Sequence, residues 1–323
     1  MKKILFIVSK THSNDCGHRI HYDWVEDCED IYDIKLWHSH LDNTSLSGLQ
    51  KCIDTFKPDY IYATHRKTLS LWLPDLTNIK VPKIFVEVDT YKYDRYDPWY
   101  DQFDMLLCRE PFWETKYSPH YGVDFFFDHL KECRSIKPNK NPQRDLVSAS
   151  KRLYIKHCRR LQKAKTWKTI PFFCWSIPEK SIVIDKQSNR SSIRFIGKTT
   201  YRLYPVRKYI KKILGDRVIF EVRYSDYNEL LKESAALICP TESIYGDYIP
   251  AKLFEFLASG SAVLTNCDLQ KHGLSDLEDY VIKYNDIKDL ESKLSMDFTP
   301  YQDKAVEIMQ NYTHREIYSR IFI

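Results

Sequence analysis

Two runs of five apolar residues bound what this chain can fold into: Ile4-Leu5-Phe6-Ile7-Val8 and Ala235-Ala236-Leu237-Ile238-Cys239. Neither alternates apolar with polar, as a strand with one wet face does. Each therefore reads as a strand buried on both faces, the situation in a parallel sheet covered by helices. Both are far shorter than the roughly 20 residues that span a bilayer, so no transmembrane segment is expected. A chain of 323 residues is long enough for two domains of about 150 residues, each with its own core.

The segments around these runs repeat one theme. Residues 3–9 read as a first strand, and the polar Thr11-His12-Ser13-Asn14-Asp15-Cys16-Gly17-His18 as the loop at its C-terminal end. Residues 31–37, 60–63, 83–88 and 104–108 read as further strands, with helical spacing over 46–56 and a turn at Lys57-Pro58-Asp59. Residues 137–145 read as a loop and 145–167 as a basic helix. A short strand lies within 167–175, where Pro171 argues against a central place in a sheet. The polar stretch 178–192 is the best boundary. After it, strands are expected at 193–196, 218–222, 236–239 and 262–265. Helices are expected at 205–214, 227–234, 250–257, 275–278 and 287–294, the first opened by Pro205. Strand, helix, strand at this spacing predicts two α/β domains, 1–180 and 190–305. A helical tail follows, 299–323 in all, whose part from 306 onward packs back on the first domain.

Nine cysteines, spread along the chain with no Cys-x-x-Cys pair, fit small core residues in a reducing cytosol better than a disulfide framework. Met1-Lys2-Lys3 and five apolar residues are too short for a signal-peptide core. His12, Cys16, His18, His21 and Cys28 match the spacing of neither a zinc ribbon nor a zinc finger, so no metal site is expected. Charge is uneven. Residues 131–170 carry thirteen Lys and Arg against two Asp and Glu, whereas 85–128 carry ten acidic against four basic side chains. A basic face opposed to an acidic wall follows from that separation, and anionic partners fit the basic part; a solvated helix surface fits it too.

The block from Cys239 to Gly260 carries the chemistry: Cys239-Pro240-Thr241-Glu242-Ser243-Ile244-Tyr245-Gly246-Asp247-Tyr248-Ile249-Pro250-Ala251-Lys252-Leu253-Phe254-Glu255-Phe256-Leu257-Ala258-Ser259-Gly260. A strand ends, a polar loop follows, and a helix starts near Pro250 and stops before Gly260, a residue able to take the left-handed cap conformation. In a doubly wound sheet, ligands bind where strands end. The helix N-terminus suits phosphate, and Lys252 adds a point charge to a diphosphate. Glu255 is a carboxylate on an otherwise apolar segment, costly to bury without hydrogen bonds, and ribose hydroxyls are apt partners. Asp247 lies eight residues earlier, within reach of another part of the same ligand, such as a sugar. An equally open reading pairs Glu255 with a basic side chain and makes Asp247 a helix cap. No Gly-x-Gly-x-x-Gly occurs, which removes the best warrant for a dinucleotide-dependent oxidoreductase.

This block resembles the donor-binding domain of GT-B glycosyltransferases, those with two Rossmann-like domains facing across a cleft. Within them it is most similar to the retaining group (glycosyl transferases group 1), which has two acidic residues separated by seven positions. In that group the second acid is followed by an apolar-Ala-x-Gly-x-x-Val/Ile pattern, here Phe256-Leu257-Ala258-Ser259-Gly260-Ser261-Ala262-Val263. Phe195-Ile196-Gly197-Lys198 resembles the loop that approaches the diphosphate, and Tyr204-Pro205-Val206-Arg207 the start of the next helix. The stretch from Glu221-Val222-Arg223 through Tyr227 resembles the part covering the base, and Ile170-Pro171-Phe172-Phe173 the strand closing the first domain. The likeness covers 193–266 in sequence and 1–180 in topology only. It implies a donor site of Gly197, Lys198, Arg223, Tyr227, Thr241, Lys252 and Glu255, with Asp247 facing the transferred sugar where the group normally has Glu.

The implied reaction moves a sugar from a nucleoside-diphosphate sugar, UDP- or GDP-linked, to a hydroxyl acceptor. Backbone N–H groups, Lys198, Arg223 and Lys252 stabilise the leaving diphosphate, and no cofactor or metal is called for. His18, His65, Glu87 and Asp89, at strand ends of the first domain, are the acceptor-side candidates. They act as positioners if the leaving phosphate takes the acceptor proton; Asp89 or His18 as base would instead allow inversion. Residues 145–168 fit an enzyme of surface-glycan or lipid-linked-sugar assembly, cytoplasmic and peripheral at the inner membrane face. They fit as well a viral glucosyltransferase acting on modified DNA bases. A catalytically inactive sugar- or nucleic-acid-binding relative and a sugar-nucleotide epimerase are the other readings.

Overall fold

The computed structural model describes residues 1–8, 23–38, 45–64, 69, 73–87, 99, 102–108, 169–171, 176–182, 190–197, 199, 205–221, 227–240, 242–243, 246–247, 249–270 and 274–322. Strand β1 (Lys2–Val8) shows why its apolar run has no polar alternation. Ile4, Phe6 and Val8 pack into one core cluster, while Leu5 and Ile7 pack into another on the opposite face. Both faces are covered, so both sets of alternate residues are apolar. After β1 come α1 (Asp23–Cys28), β2 (Tyr32–His38), α2 (Leu46–Phe56), β3 (Tyr60–Thr64), β4 (Lys83–Glu87), β5 (Met105–Cys108) and β6 (Thr169–Pro171). These strands are parallel, in the order β2-β1-β3-β4-β5-β6. Pro171 sits on the edge strand, where its missing N–H costs no central ladder bond.

The second sheet repeats the plan. It is built from β7 (Ser192–Ile196), α3 (Pro205–Leu214), β8 (Ile219–Glu221), α4 (Tyr227–Glu233), β9 (Ser234–Cys239), β12 (Ala262–Thr265) and β13 (Ile282–Lys283). A short antiparallel pair, β10 (Glu242–Ser243) and β11 (Gly246–Asp247), and helix α5 (Ala251–Ala258) lie between β9 and β12; α6 (Ile287–Lys293) follows β13. The parallel order is β13-β12-β9-β7-β8. Counted within its own sheet, the second half therefore runs 2-1-3-4-5, the doubly wound order of flavodoxin-like folds, and the first runs the same way with a sixth strand added at the edge.

The chain divides into two compact units. The first holds the described residues of 1–114, 160–178 and 313–323, and the second those of 179–312. The return at 313 brings α7 (His314–Ile321) onto the first sheet. Thr313 caps it by accepting from Glu316 N, and Tyr318 stacks on Trp24 of α1 with ring centroids 4.4 Å apart. The stretch 299–323 is not one helix. Short 3-10 turns at Thr299–Tyr301 and Ile308–Tyr312 precede α7. Asp303 takes φ +57, a left-handed conformation that stops helix propagation after the first of them.

Tyr318 and Tyr62 are both buried, and their hydroxyls meet at 3.1 Å. Burial pushes both phenols above their ordinary range. Removing one hydroxyl strands the other in an apolar setting. Tyr318→Phe is expected to cost about 1–2 kcal/mol, and Tyr62→Phe in the same protein to restore most of it, because deleting both partners leaves nothing unsatisfied. Chemical denaturation of the two single variants and the double variant measures this.

Candidate functional site

In a sheet wound 2-1-3, ligands sit beyond the carboxyl ends of the strands, where the winding reverses. In the second unit that point lies between β7 and β9. Gly197 follows β7 directly. Its N–H extends the ladder to Glu221 O at 2.8 Å, and its φ is +148, a value that side-chain-bearing residues rarely adopt. The space where a Cβ would stand is occupied from two sides, with Lys252 Nζ 3.3 Å and Arg207 NH1 3.5 Å from that position. Two cations thus converge on one bare glycine at the switch point.

Each cation is delivered by the start of a helix. Pro205 opens α3 and places Arg207 in its first turn, with the guanidinium 5.7 Å from the Phe195 ring centroid. Pro250, extended at ψ 140, opens α5; no side chain caps that end, and Lys252 lies in the first turn. Lys252 Nζ donates to Ile196 O, the last carbonyl of β7, at 2.7 Å. That bond ties α5 to the neighbouring strand across the switch point. The first turn of α5 also presents backbone N–H groups with the positive end of its dipole, which suits an anion.

Helix α5 reads Ala-Lys-Leu-Phe-Glu-Phe-Leu-Ala, and its two charged residues, Lys252 and Glu255, are three apart, hence on one face. The remaining residues from Leu253 to Ala258 are buried. The Glu255 carboxyl is drawn into this packing, and Tyr227, the first residue of α4, donates its phenolic O–H to Oε2. Burial pushes the Glu255 pKa up; the phenol and the Lys252 charge act in the opposite direction without cancelling it.

The far end of α5 is locked in place. Gly260 takes φ +74, and its carbonyl accepts from Asp303 N at 2.7 Å. Arg190 lies alongside and donates to Ser259 O at 3.0 Å, Ser261 Oγ at 3.3 Å and Asp303 Oδ1 at 2.9 Å. The Arg190 side chain is 1% exposed, so this is a buried ion pair that fixes the exit of the helix carrying Lys252 and Glu255.

Of the residues expected to form a donor site, the structure brings together Gly197, Tyr227, Lys252 and Glu255. Asp247 lies on β11, its backbone in register with Glu242. Lys198, Arg223, Thr241, His18, His65 and Asp89 lie outside the described residues, as do the basic segment 145–168 and His12, Cys16 and His21. Cys28 is a buried core residue. Sequence reasoning missed Arg207 as a site cation. The available signal was its place two residues after the helix-opening Pro205, in the first turn of the helix that follows the Gly197 loop. Among the described residues, no three His, Cys, Asp or Glu side chains cluster as metal ligands, and no helix is long and apolar enough to cross a membrane.

No protein-family model and no curated protein matches the chain. Solved structures do match, over almost the whole length. Anabaena HepE in complex with UDP and glucose is 11% identical with a TM-score of 0.52, covering 99% of this chain and 98% of that one. Sucrose-phosphate synthase from Thermosynechococcus elongatus is 9% identical with a TM-score of 0.52, covering 100% and 99%. The fold is GT-B. AviGT4, a glycosyltransferase involved in avilamycin A biosynthesis, agrees at a TM-score of 0.54, 9% identity and coverage of 99% and 96%. At these identities the likeness is one of fold: two Rossmann-like α/β domains.

Proposed function

We propose that the second domain binds a nucleoside-diphosphate sugar and that the chain transfers the sugar to a hydroxyl acceptor. One observation carries the reading: Lys252 and Arg207 converge on Gly197 at the strand-order reversal, while Glu255, on the same face of α5 as Lys252, is engaged by Tyr227. Two cations near a bare glycine and an uncapped helix start suit a diphosphate. A carboxylate one turn further along suits ribose. The HepE structures hold UDP and UDP-glucose, which favours a UDP-sugar as donor.

In this reading, leaving-group charge is neutralised by Lys252, Arg207 and the first N–H groups of α5, with Lys198 and Arg223 adding to them, and without a metal. The acidic pair Asp247 and Glu255 argues for the retaining group and for retention at the anomeric carbon. The acceptor belongs to the first domain, with His18, His65 and Asp89 as its contacts, and is a surface glycan or a lipid-linked sugar. The test is thermal stabilisation by UDP, GDP and their sugars, followed by the best ligand against Glu255→Ala and Lys252→Ala. Ligand at a hundred times its Kd stabilises the parent by about 2.7 kcal/mol. Both variants should lose most of that gain, and equal gains in all three proteins would move the pocket elsewhere.

A further inference from the structure

A carboxylate has two oxygens, each able to accept two hydrogen bonds. When both face a vicinal diol, the contact is bidentate and reads both hydroxyls. Glu255 is not disposed that way. Its Oε2 accepts the O–H of Tyr227, which comes from α4, the helix after β8, whereas Glu255 belongs to α5, the helix after the β10–β11 pair. That bond takes up one of the two acceptor positions of Oε2 and turns the oxygen towards α4. Among the described residues, no hydrogen bond is made to Oε1.

We propose that Tyr227 is a positioning residue for the donor: by holding Oε2 it presents Oε1 alone to the nucleotide, so that a single ribose hydroxyl is recognised. The inference rests on the donor reading given above. The ligand class is a nucleoside diphosphate whose sugar carries one obligatory hydroxyl and tolerates loss of its neighbour. Tyr227 acts through Glu255, not on the reacting atoms.

A second consequence follows from charge. The titratable groups facing Glu255 among the described residues are Tyr227 from α4 and Lys252 from its own helix. A ribose O–H bonds more strongly to an ionised than to a neutral carboxyl, so donor binding is strongest above the Glu255 pKa and weakens as pH falls through it. The phenol favours the ionised form. Without it the pKa rises further, and the loss of binding begins at higher pH.

The experiment is calorimetric titration of the full chain with UDP or GDP, whichever binds, and with the 2′-deoxy and 3′-deoxy forms of that diphosphate, in the parent and in Tyr227→Phe. The parent is expected to bind one deoxy form about tenfold more weakly than the ribonucleotide and the other less than about threefold more weakly. Tyr227→Phe keeps the ring and frees Oε2. It should penalise the two deoxy forms alike, and its binding should fall off at higher pH than the parent's. Equal penalties in the parent, or a variant with the parent's selectivity and pH profile, overturn the proposal. Failure of the donor reading itself looks different: no diphosphate binds the parent, or Glu255→Ala binds it as well as the parent does. That result rejects both.

Discussion

Lys252→Ala is expected to lower sugar-transfer turnover by about 100- to 1,000-fold, the usual effect of removing one preorganised group that faces developing charge. The side chain has two roles. Its bond to Ile196 O anchors the first turn of α5 to β7, and the same ammonium stands 3.3 Å from where a Gly197 Cβ would be, at the proposed diphosphate. Charge on the leaving phosphate grows towards the transition state, so the loss should fall mainly on kcat, with a smaller rise in KM. Arg207→Ala should cost less, about tenfold, because its guanidinium also rests on Phe195. Lys252→Arg should recover part of the activity, since it keeps the charge and changes the reach. Initial rates at saturating and limiting donor decide the matter; Lys252→Ala within threefold of the parent would remove this side chain from the site.

How far the site was legible depends on whether its signals are local. The helix 251–258, its Gly260 stop and the strand after it are written in consecutive residues, and Lys252 and Glu255 share a face simply because they are three apart. The strands were readable for the same reason: β1 and β9 are apolar on both faces. The gaps lie where meaning comes from distant partners. Tyr227 meets Glu255 across 28 positions, and Arg190 meets Asp303 across 113. Neither contact leaves a periodic trace. Helix α1 is six residues long, too short for an amphipathic period, and is held by Trp24 stacking on Tyr318. The β10–β11 pair has two residues a side, below the length at which alternation can be seen. Its register, Glu242 with Asp247, exists only in the folded chain.

The same distinction makes Gly260 a sensitive position for stability in the second domain. Its sequence role is a helix stop; its structural role is to leave room for an ion pair. An added Cβ would stand 2.2 Å from Asp303 Oδ1 and 2.8 Å from Arg190 NH2, at a φ of +74 that alanine adopts only with strain. The backbone cannot withdraw freely, because Gly260 O accepts from Asp303 N and Gly260 N donates to Leu257 O. Gly260→Ala must therefore push Asp303 off Arg190, leaving a buried guanidinium short of its counter-ion. Breaking such a pair costs about 3–5 kcal/mol, which lowers the melting temperature of the second domain by on the order of 10 °C. The cause can be separated from general disruption by a double-mutant cycle. Asp303→Ala alone already loses the pair, so adding Gly260→Ala to it should cost only the backbone strain, about 1 kcal/mol, and the adjustment of Arg190 NH2, which would lie 2.8 Å from the new Cβ, well short of the loss it causes in the parent. Full additivity of the two losses would show that the clash with Asp303 is not what makes glycine necessary. Below its lowered melting temperature, Gly260→Ala should still bind the diphosphate, because Lys252 and Glu255 sit one to two turns upstream on a helix whose own hydrogen bonds are untouched.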